Sequence, residues 1–190
     1  MRVIAGKYRS RPLATLSGLE IRPTSDRLRE TLFNVLCAGD ENALGGAVFL
    51  DLFAGTGAVG IEALSRGAAQ VVFVESSAKV VALIRQNLKS LGVETGYSLL
   101  RSDVTAALRS LEGTGTTMNV IFLDPPYAGQ ALYQGTLEAL QVWRGVTDAT
   151  VIIAEHDKRF DSGGTVGALQ RYRKLVQGDA ALSFYRKVAT

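Results

Sequence analysis

The chain has 190 residues and 47% of them are apolar, which favours one globular domain with a substantial hydrophobic core. Its formal net charge of +3 permits an anionic partner but does not demand one. Cys37 is the only cysteine, so the chain can form neither an intramolecular disulfide nor a cysteine metal cluster.

The sequence shows no segment that would take it into a membrane. No run approaches the roughly 18 apolar residues that a membrane-spanning helix needs. No apolar segment follows Met1 and Arg2 as it would in a secretory signal. We therefore expect a cytoplasmic protein with no membrane contact.

Residues 1–21 are predicted to form a small β extension that precedes a main domain of residues 22–190. Short apolar segments on either side of Gly6 and Lys7 indicate a hairpin turn. Because Tyr8 lies among cations, the extension favours contact with a nucleic-acid backbone and a stacked base. Cations that protect a solvated edge strand are the alternative. These cations are Arg2, Lys7, Arg9 and Arg11.

A helix is predicted near residues 25–37. Thr24 or Ser25 follows Pro23 and would supply its N-cap. Apolar residues then recur at helical spacing, which predicts one buried face. They are Leu28, Leu32, Phe33 and Leu36.

The stretch from Val48 to Gly60 is predicted to begin a βαβ unit. A short apolar run that ends at Asp51 indicates a buried strand, and a helix follows the third glycine. Glycines at 55, 57 and 60 allow a tight turn and a close approach of the backbone to a ligand. A tight turn with no ligand would use the same residues.

Two ligands fit this turn. The spacing Gly55-x-Gly57-x-x-Gly60 matches the dinucleotide fingerprint. Asp51 argues against a dinucleotide, because its carboxylate would lie near the pyrophosphate and repel it. The same carboxylate suits a ligand with a positively charged amino group, such as the methionine part of S-adenosylmethionine (SAM). The turn alone therefore favours SAM without excluding NAD.

The second predicted strand places another acid near this turn. The β-branched run Val71–Val74 ends at Glu75, about twenty residues past the first glycine, where an acid can accept hydrogen bonds from ribose hydroxyls. Such an acid would serve SAM and NAD equally. The following helix is predicted over residues 78–91 and ends at Gly92.

A short third strand at Leu99 and Leu100 leads to Asp103. Residues 106–111 look helical, so Asp103 could serve only as the N-cap of that helix. Its position after a strand equally permits contact with a ligand.

The run Val120–Leu123 is a further buried strand, and it ends in Asp124-Pro125-Pro126-Tyr127. Two consecutive prolines cannot continue a central strand, so they are predicted to hold a rigid loop. In open α/β sheets ligands bind at the carboxyl ends of the strands, which is where this loop begins. A plain proline turn is the alternative.

The remaining chain is predicted to complete an α/β sheet. A helix over 131–143 and a strand over 151–154 precede Glu155-His156-Asp157, which lacks the spacing of a metal site. We predict no metal. Two strands over 169–176 and 181–188, joined at residues 178 and 179, indicate an antiparallel hairpin.

Asp-Leu-Phe-Ala-Gly-Thr-Gly from residue 51, taken with Asp-Pro-Pro-Tyr from residue 124, resembles SAM-dependent methyltransferases that act on exocyclic amines of nucleobases. The opening Arg-Val-Ile-Ala-Gly and the segment from Arg22 to Asn34 narrow the resemblance to bacterial 16S ribosomal RNA guanine-N2 methyltransferases of the RsmD type. It covers nearly the whole chain. Ser76 and Ser77 depart from the acidic or amide residue usual after Glu75, which leaves the other ribose contacts open.

The resemblance implies a Rossmann-like α/β fold with a mostly parallel seven-stranded sheet and a C-terminal antiparallel hairpin. It implies catalysis by Asp124, Pro125, Pro126 and Tyr127, and an adenine contact for Asp103. It implies ribosomal RNA or the small ribosomal subunit as partner, with the N-terminal cations as RNA contacts, and we predict a monomer. The implied SAM contacts are Thr24, Asp51, Phe53, Ala54, Gly55, Thr56, Gly57, Gly60, Glu75 and Asp103.

Three other functions fit the sequence less well. An adenine-N6 DNA methyltransferase would use the same Asp-Pro-Pro-Tyr chemistry, but such enzymes commonly carry an added target-recognition region for which this chain has little room. A nicotinamide oxidoreductase would need a hydride-transfer site that no motif supplies. A non-catalytic RNA-binding module would tolerate the loss of Asp124, which is present.

Overall fold

A computed structural model describes residues 1–15, 25–40, 42–126 and 130–188. Within these ranges eight strands form one sheet in the order β3-β2-β1-β4-β5-β8-β7-β6. The strands are β1 Val48–Leu52, β2 Gln70–Val74, β3 Tyr97–Leu100, β4 Val120–Leu123, β5 Val151–Asp157, β6 Thr165–Val166, β7 Leu169–Gln177 and β8 Ala180–Lys187. The helices are α1 Asp26–Leu36, α2 Ala58–Ser65, α3 Ala78–Ser90, α4 Val104–Glu112 and α5 Gln130–Val142.

Strands β1 to β5 are parallel, and their order reverses between β1 and β4. In an open α/β sheet this reversal leaves a crevice at the carboxyl ends of the two central strands, and ligands bind there. The glycine turn follows β1 and the Asp-Pro-Pro segment follows β4. The topology therefore brings the two motifs of the sequence to one crevice.

The core lies on both faces of the sheet. Strand β4 is buried along its whole length, as expected for a parallel strand with helices on either side. Apolar residues of α1, α2 and α3 pack on one face. Those of α4 and α5 pack on the other face. Among the described residues, no helix has the length and apolar character needed to cross a membrane.

The predicted mostly parallel sheet with a C-terminal antiparallel hairpin is confirmed, but the predicted strand count of seven is wrong. The eighth strand, β6, has two residues and pairs only with Leu169 and Gln170 of β7. Strand β5 also runs three residues further than predicted, to Asp157, because β8 pairs with it along this length. A two-residue strand has no periodicity from which it could be predicted.

The N-terminal segment differs from the predicted hairpin at Gly6 and Lys7. It folds back on itself through an antiparallel bridge between Arg2 and Pro12 and through backbone hydrogen bonds of Val3, but its turn spans residues 5–10 and also contacts α2. The backbone N–H groups of Ile4 and Ala5 donate to the carboxylate of Glu62, at 2.8 and 3.0 Å. The predicted boundary at residues 21 and 22 lies outside the described residues.

Two buried polar side chains fasten this segment to the domain. Glu62 on α2 is fully buried and lies 3.7 Å from the guanidinium of Arg29, which is buried as well. Burial lowers the pKa of Arg29, while the charges of Glu62 and Asp26 oppose that shift. Asn87 on α3 bonds to both the N–H and the carbonyl of Ala14 and also to the carbonyl of Thr56 in the glycine turn. The N-terminal segment is thus tied to the elements that carry the glycine turn.

Candidate active site

A cavity of about 1020 Å³ opens at the carboxyl ends of the parallel strands. This volume is at the top of the roughly 300–1,000 Å³ range of small-molecule sites, so the cavity has room for a sizeable ligand. The glycine turn, Glu75 and Asp103 line one part of it, and Asp124 and its two prolines line another. The structure therefore brings together seven of the ten predicted cofactor residues and three of the four predicted catalytic residues.

The glycine turn is built from left-handed backbone. Phe53, Gly55 and Gly57 have φ values of +61°, +54° and +76°, and Gly57 is the N-cap of α2. The N–H of Ala54 donates to the carbonyl of Val74, which fixes the turn to β2. Of the predicted contacts, Asp51, Phe53, Ala54, Gly55 and Thr56 line the cavity.

Gly57 and Gly60 are not among the residues that line the cavity. A Cβ at Gly57 would lie 3.0 Å from Cγ2 of Ile84, and one at Gly60 would overlap the ring of Phe73. These two glycines therefore serve the conformation of the turn and the packing of α2, rather than an approach of backbone to ligand. Thr24 lies outside the described residues.

Asp51 lies beneath the turn and is almost completely buried. Its Oδ2 accepts a hydrogen bond from the N–H of Gly60 at 2.9 Å, which holds the start of α2 against β1. Burial raises the pKa of Asp51 to about 8, because a carboxylate loses its hydration there. A cationic group brought into the cavity would favour the charged carboxylate.

We predict a pH dependence of stability from Asp51. A carboxyl whose pKa is raised by folding stabilises the native state below its unfolded pKa, and this contribution is lost as pH rises through about 8. The free energy of unfolding of the native chain should therefore fall between pH 4 and pH 8 relative to that of Asp51→Asn. Urea denaturation of both proteins at pH 5, 6.5 and 8 measures it. A difference that does not change with pH would contradict the assignment.

Glu75 and Asp103 both line the cavity and both have structural partners. The carboxylate of Glu75 accepts from the N–H of Gly55 at 3.2 Å and from that of Ser77 at 2.8 Å. Asp103 caps α4, with its Oδ1 accepting from Ala106 at 2.8 Å. Asp103 is thus an N-cap, and the cap uses one of its two oxygens.

Ser102 is a lining residue that the sequence did not single out. Its hydroxyl oxygen is buried and has no hydrogen-bond partner among the described residues. Buried hydroxyls are nearly always hydrogen-bonded, so this one indicates that a polar ligand group belongs in the cavity. Together with Glu75 and Asp103 it forms a polar wall of the cavity. In the sequence only its place next to Asp103 could have indicated it.

The Asp-Pro-Pro segment lies where the sequence predicts it. Asp124, Pro125 and Pro126 follow β4 and line the cavity, with Asp124 half-buried. The glycine turn, across the switch point, borders the same cavity. Tyr127 lies outside the described residues.

Comparison with known proteins identifies the family that carries this geometry. A family model described as Conserved hypothetical protein 95 matches residues 1–186. The chain belongs to this family, the RsmD family.

Individual relatives align over almost the whole length of this RsmD-family chain. Ribosomal RNA small subunit methyltransferase D of Escherichia coli K12 is 32% identical over 189 residues, which cover 100% of this chain and 91% of the relative. YlbH of Bacillus subtilis is 36% identical over 187 residues, with 98% and 99% covered. The solved structure of Escherichia coli yhhF superposes with a TM-score of 0.83 at 31% identity, covering 100% of this chain and 99% of that one.

Tyr133 on α5 is a second residue that the sequence did not single out. Its buried hydroxyl donates to the carbonyl of Glu155 at 2.7 Å and lies 3.4 Å from the carbonyl oxygen of Pro125. Burial raises the pKa of Tyr133, so it remains a neutral donor. In this RsmD-family chain the hydroxyl of Tyr133 thus links the Asp-Pro-Pro segment to β5.

The histidine of the Glu-His-Asp run also lies at the cavity. Nδ1 of His156 contacts the carbonyl of Asp157 and Nε2 contacts the hydroxyl of Ser183, each at 2.8 Å. Burial lowers the pKa of His156. Both ring nitrogens are therefore engaged within the protein. In the described part of the chain, no three His, Cys, Asp or Glu side chains are placed to hold a metal ion.

Proposed function

We propose that this chain transfers the methyl group of SAM to the exocyclic N2 amine of a guanine in 16S ribosomal RNA. One observation carries the proposal: Asp124-Pro125-Pro126 and the glycine turn border the same cavity, from neighbouring strands. The relative from Escherichia coli is named for methylation of small-subunit ribosomal RNA. SAM-dependent methylation of ribosomal RNA is the coarser activity that the family supports.

The residues present suit SAM at the glycine-turn side of the cavity. Asp51 would face its ammonium group, Glu75 its ribose hydroxyls, and Asp103 with Ser102 its adenine. When bound, SAM supplies an electrophilic methyl group on a sulfonium ion. The protein then has to hold a nucleophilic nitrogen in line with that methyl group, and most of the acceleration comes from positioning and electrostatics.

The guanine N2 amine is a poor nucleophile, because its lone pair is delocalised into the ring. The carboxylate of Asp124 and the carbonyl of Pro125 can each accept one amine hydrogen. This draws the nitrogen toward tetrahedral geometry and localises the lone pair. Tyr127 is proposed to stack on the face of the base. The guanine must leave its stack or come from a loop to enter the cavity.

The contact of Tyr133 predicts a role in placing the Pro125 carbonyl. Tyr133→Phe should lower kcat by roughly 2- to 10-fold, the effect of losing one hydrogen bond of about 0.5–1.5 kcal/mol. SAM affinity should not change, because Tyr133 contacts the Asp-Pro-Pro segment and not the glycine turn. Single-turnover methylation with calorimetry measures both quantities, and Tyr97→Phe on β3 is the control. An unchanged kcat would show that the hydroxyl only supports α5.

The four N-terminal cations remain proposed RNA contacts, but two of them also have partners within the protein. Arg11 donates to the carbonyl of Ser90 at 2.7 Å, and Arg2 lies 4.0 Å from Asp26. Lys7 and Arg9 are exposed. These two are therefore the better placed to meet phosphates.

Removing both exposed cations should weaken RNA binding without affecting SAM binding. In Lys7→Ala plus Arg9→Ala, the slope of log K against log salt should fall by about 0.7–0.9 for each phosphate that these cations neutralise in the native complex. Binding titrations with 16S ribosomal RNA at four salt concentrations measure the slope. If the slope is unchanged and only the melting temperature falls, these cations serve the fold and not the RNA.

The rival activity, adenine-N6 methylation of DNA, would use the same loop. Purified protein with methyl-labelled SAM should label 16S ribosomal RNA, and the labelled nucleoside should be N2-methylguanosine. Duplex DNA should stay unlabelled. Label recovered as N6-methyladenine in DNA would replace the proposal with its rival. Since the RNA substrate is ribosomal, we also propose that the protein works in the cytoplasm.

A further inference from the structure

The outer part of the sheet carries an exposed aromatic ring between arginines. Tyr172 on β7 is 49% exposed, although large aromatic side chains are usually buried. The guanidinium of Arg186 on β8 lies over its ring, 5.0 Å from the centroid. Arg173 is exposed next to it. We call Tyr172, Arg173 and Arg186 the Tyr172 patch.

A β-bulge places these three side chains on one face. The register between β7 and β8 shifts between Arg171 and Arg173, so that Tyr172 is the extra residue and Arg173 pairs with Phe184. The ring of Tyr172 contacts that of Phe184, with centroids 6.2 Å apart. Phe184 belongs to the apolar core on the face of the sheet that α1 packs against. The patch therefore lies on that same face, in its exposed part.

The two arginines of the patch keep their full charge within the part of the chain that the structure describes. Among the described residues neither Arg173 nor Arg186 forms an ion pair with a carboxylate. Nearby Arg171 does, with Asp161. Proteins bind single-stranded nucleic acid with exposed aromatic rings flanked by cations. Every base offers a face on which a ring can stack, and every nucleotide carries a phosphate that a cation can contact.

We infer that the Tyr172 patch binds a single-stranded part of the ribosomal RNA that flanks the target guanine. Tyr172 stacks on a base, and Arg173 and Arg186 contact phosphates. The inference rests on the proposed function. Strand β7 is two strand spacings from β5, and Tyr172 lies level with residues 152 and 153, two to three residues before Glu155 at the cavity, which gives a separation of roughly 13 Å. A few nucleotides can span that distance.

Protection of an open sheet edge explains less of this surface than RNA binding does. In the described part of the chain, β6 pairs with the first two residues of β7 and the N–H of Arg171 donates to the carbonyl of Gly164, so β7 from Tyr172 onward is an open edge whose cations could discourage pairing with another chain. Such protection accounts for Arg173. It does not account for an exposed tyrosine, which favours association, or for Arg186 on the inner strand β8.

Three variants test the inference by binding to transcribed 16S ribosomal RNA. Tyr172→Ala should bind about 5- to 150-fold more weakly, the range known for removal of one stacked base, whereas Tyr172→Phe should bind like the native chain. Arg173→Ala plus Arg186→Ala should lower the salt slope by about 0.7 for each phosphate of single-stranded RNA that the two arginines neutralise. The control, Arg109→Ala plus Arg144→Ala, removes the same charge near the helices of the opposite face and should leave the slope nearly unchanged.

SAM affinity and a melting curve establish that each variant is folded. A native salt slope in the patch variant, or equal decreases in patch and control variants, would overturn the inference while the proposed function stands. Failure of the native chain to methylate the RNA would instead overturn the proposed function. Aggregation of the arginine variant with unchanged RNA affinity would overturn the inference and assign the cations to edge protection.

Discussion

Asp124→Ala is expected to lower kcat by about 10²-fold or more while SAM affinity stays near its native value. The carboxylate would accept an amine hydrogen as the nitrogen becomes tetrahedral, so its contribution is larger in the transition state than in the ground state. The glycine turn that would hold SAM lies across the switch point and does not depend on this side chain. Single-turnover methylation measures the chemical step, and calorimetry measures SAM binding.

A second substitution at the same position sharpens the test. Asp124→Asn retains one acceptor oxygen, so its kcat should lie between those of the native chain and of Asp124→Ala. The two prolines after residue 124 hold the backbone of the loop in all three proteins. Turnover by Asp124→Ala close to the native rate would contradict the proposed chemistry, because that chemistry assigns the acceptor role to no other side chain.

Gly57→Val is expected to abolish most SAM binding. The native φ of +76° is costly for a β-branched residue, by about 1–3 kcal/mol, and the new Cβ would lie 3.0 Å from Ile84. The N–H of Gly57 closes the turn by donating to the carbonyl of Ala54 at 2.8 Å. Relieving the strain would open this turn, and we expect SAM affinity to fall by at least about 10-fold, or 1.4 kcal/mol.

Calorimetry with SAM, combined with a melting curve, measures the effect. Gly115→Val is a matched control, because Gly115 has a φ of +66° and no atom within 4 Å of its added Cβ. It should lose a similar amount of stability and no SAM affinity. Native affinity in folded Gly57→Val would refute the assignment of the glycine turn, as would tight NAD binding by the native chain.

The elements around the cavity could be predicted because their determinants are local. The apolar run before Asp51, the glycines after it and the prolines after Asp124 each restrict a few adjacent residues. Parallel strands must end at one edge of the sheet, so their terminal residues meet even though the motifs are about seventy residues apart. This is why the main cavity residues followed from sequence.

The missed features depend on interactions that no local pattern encodes. Glu62 looks like a surface residue of a helix, yet it is fully buried and accepts from Ile4, 58 residues away in sequence. The roles of Ser102 and Tyr133 become visible only once the cavity and β5 are in place. The sequence pattern suggested that Gly57 leaves space for a ligand, whereas the position of its missing Cβ is set by the packing of Ile84.

Nucleoside mass spectrometry of 16S ribosomal RNA tests the central claim most directly. RNA would be compared from cells with the gene, without it, and without it but supplied with the native or the Asp124→Ala protein. We predict that one N2-methylguanosine is lost on deletion, returns with the native protein and does not return with Asp124→Ala. Unchanged N2-methylguanosine after deletion, or loss of N6-methyladenine from DNA instead, would contradict the account.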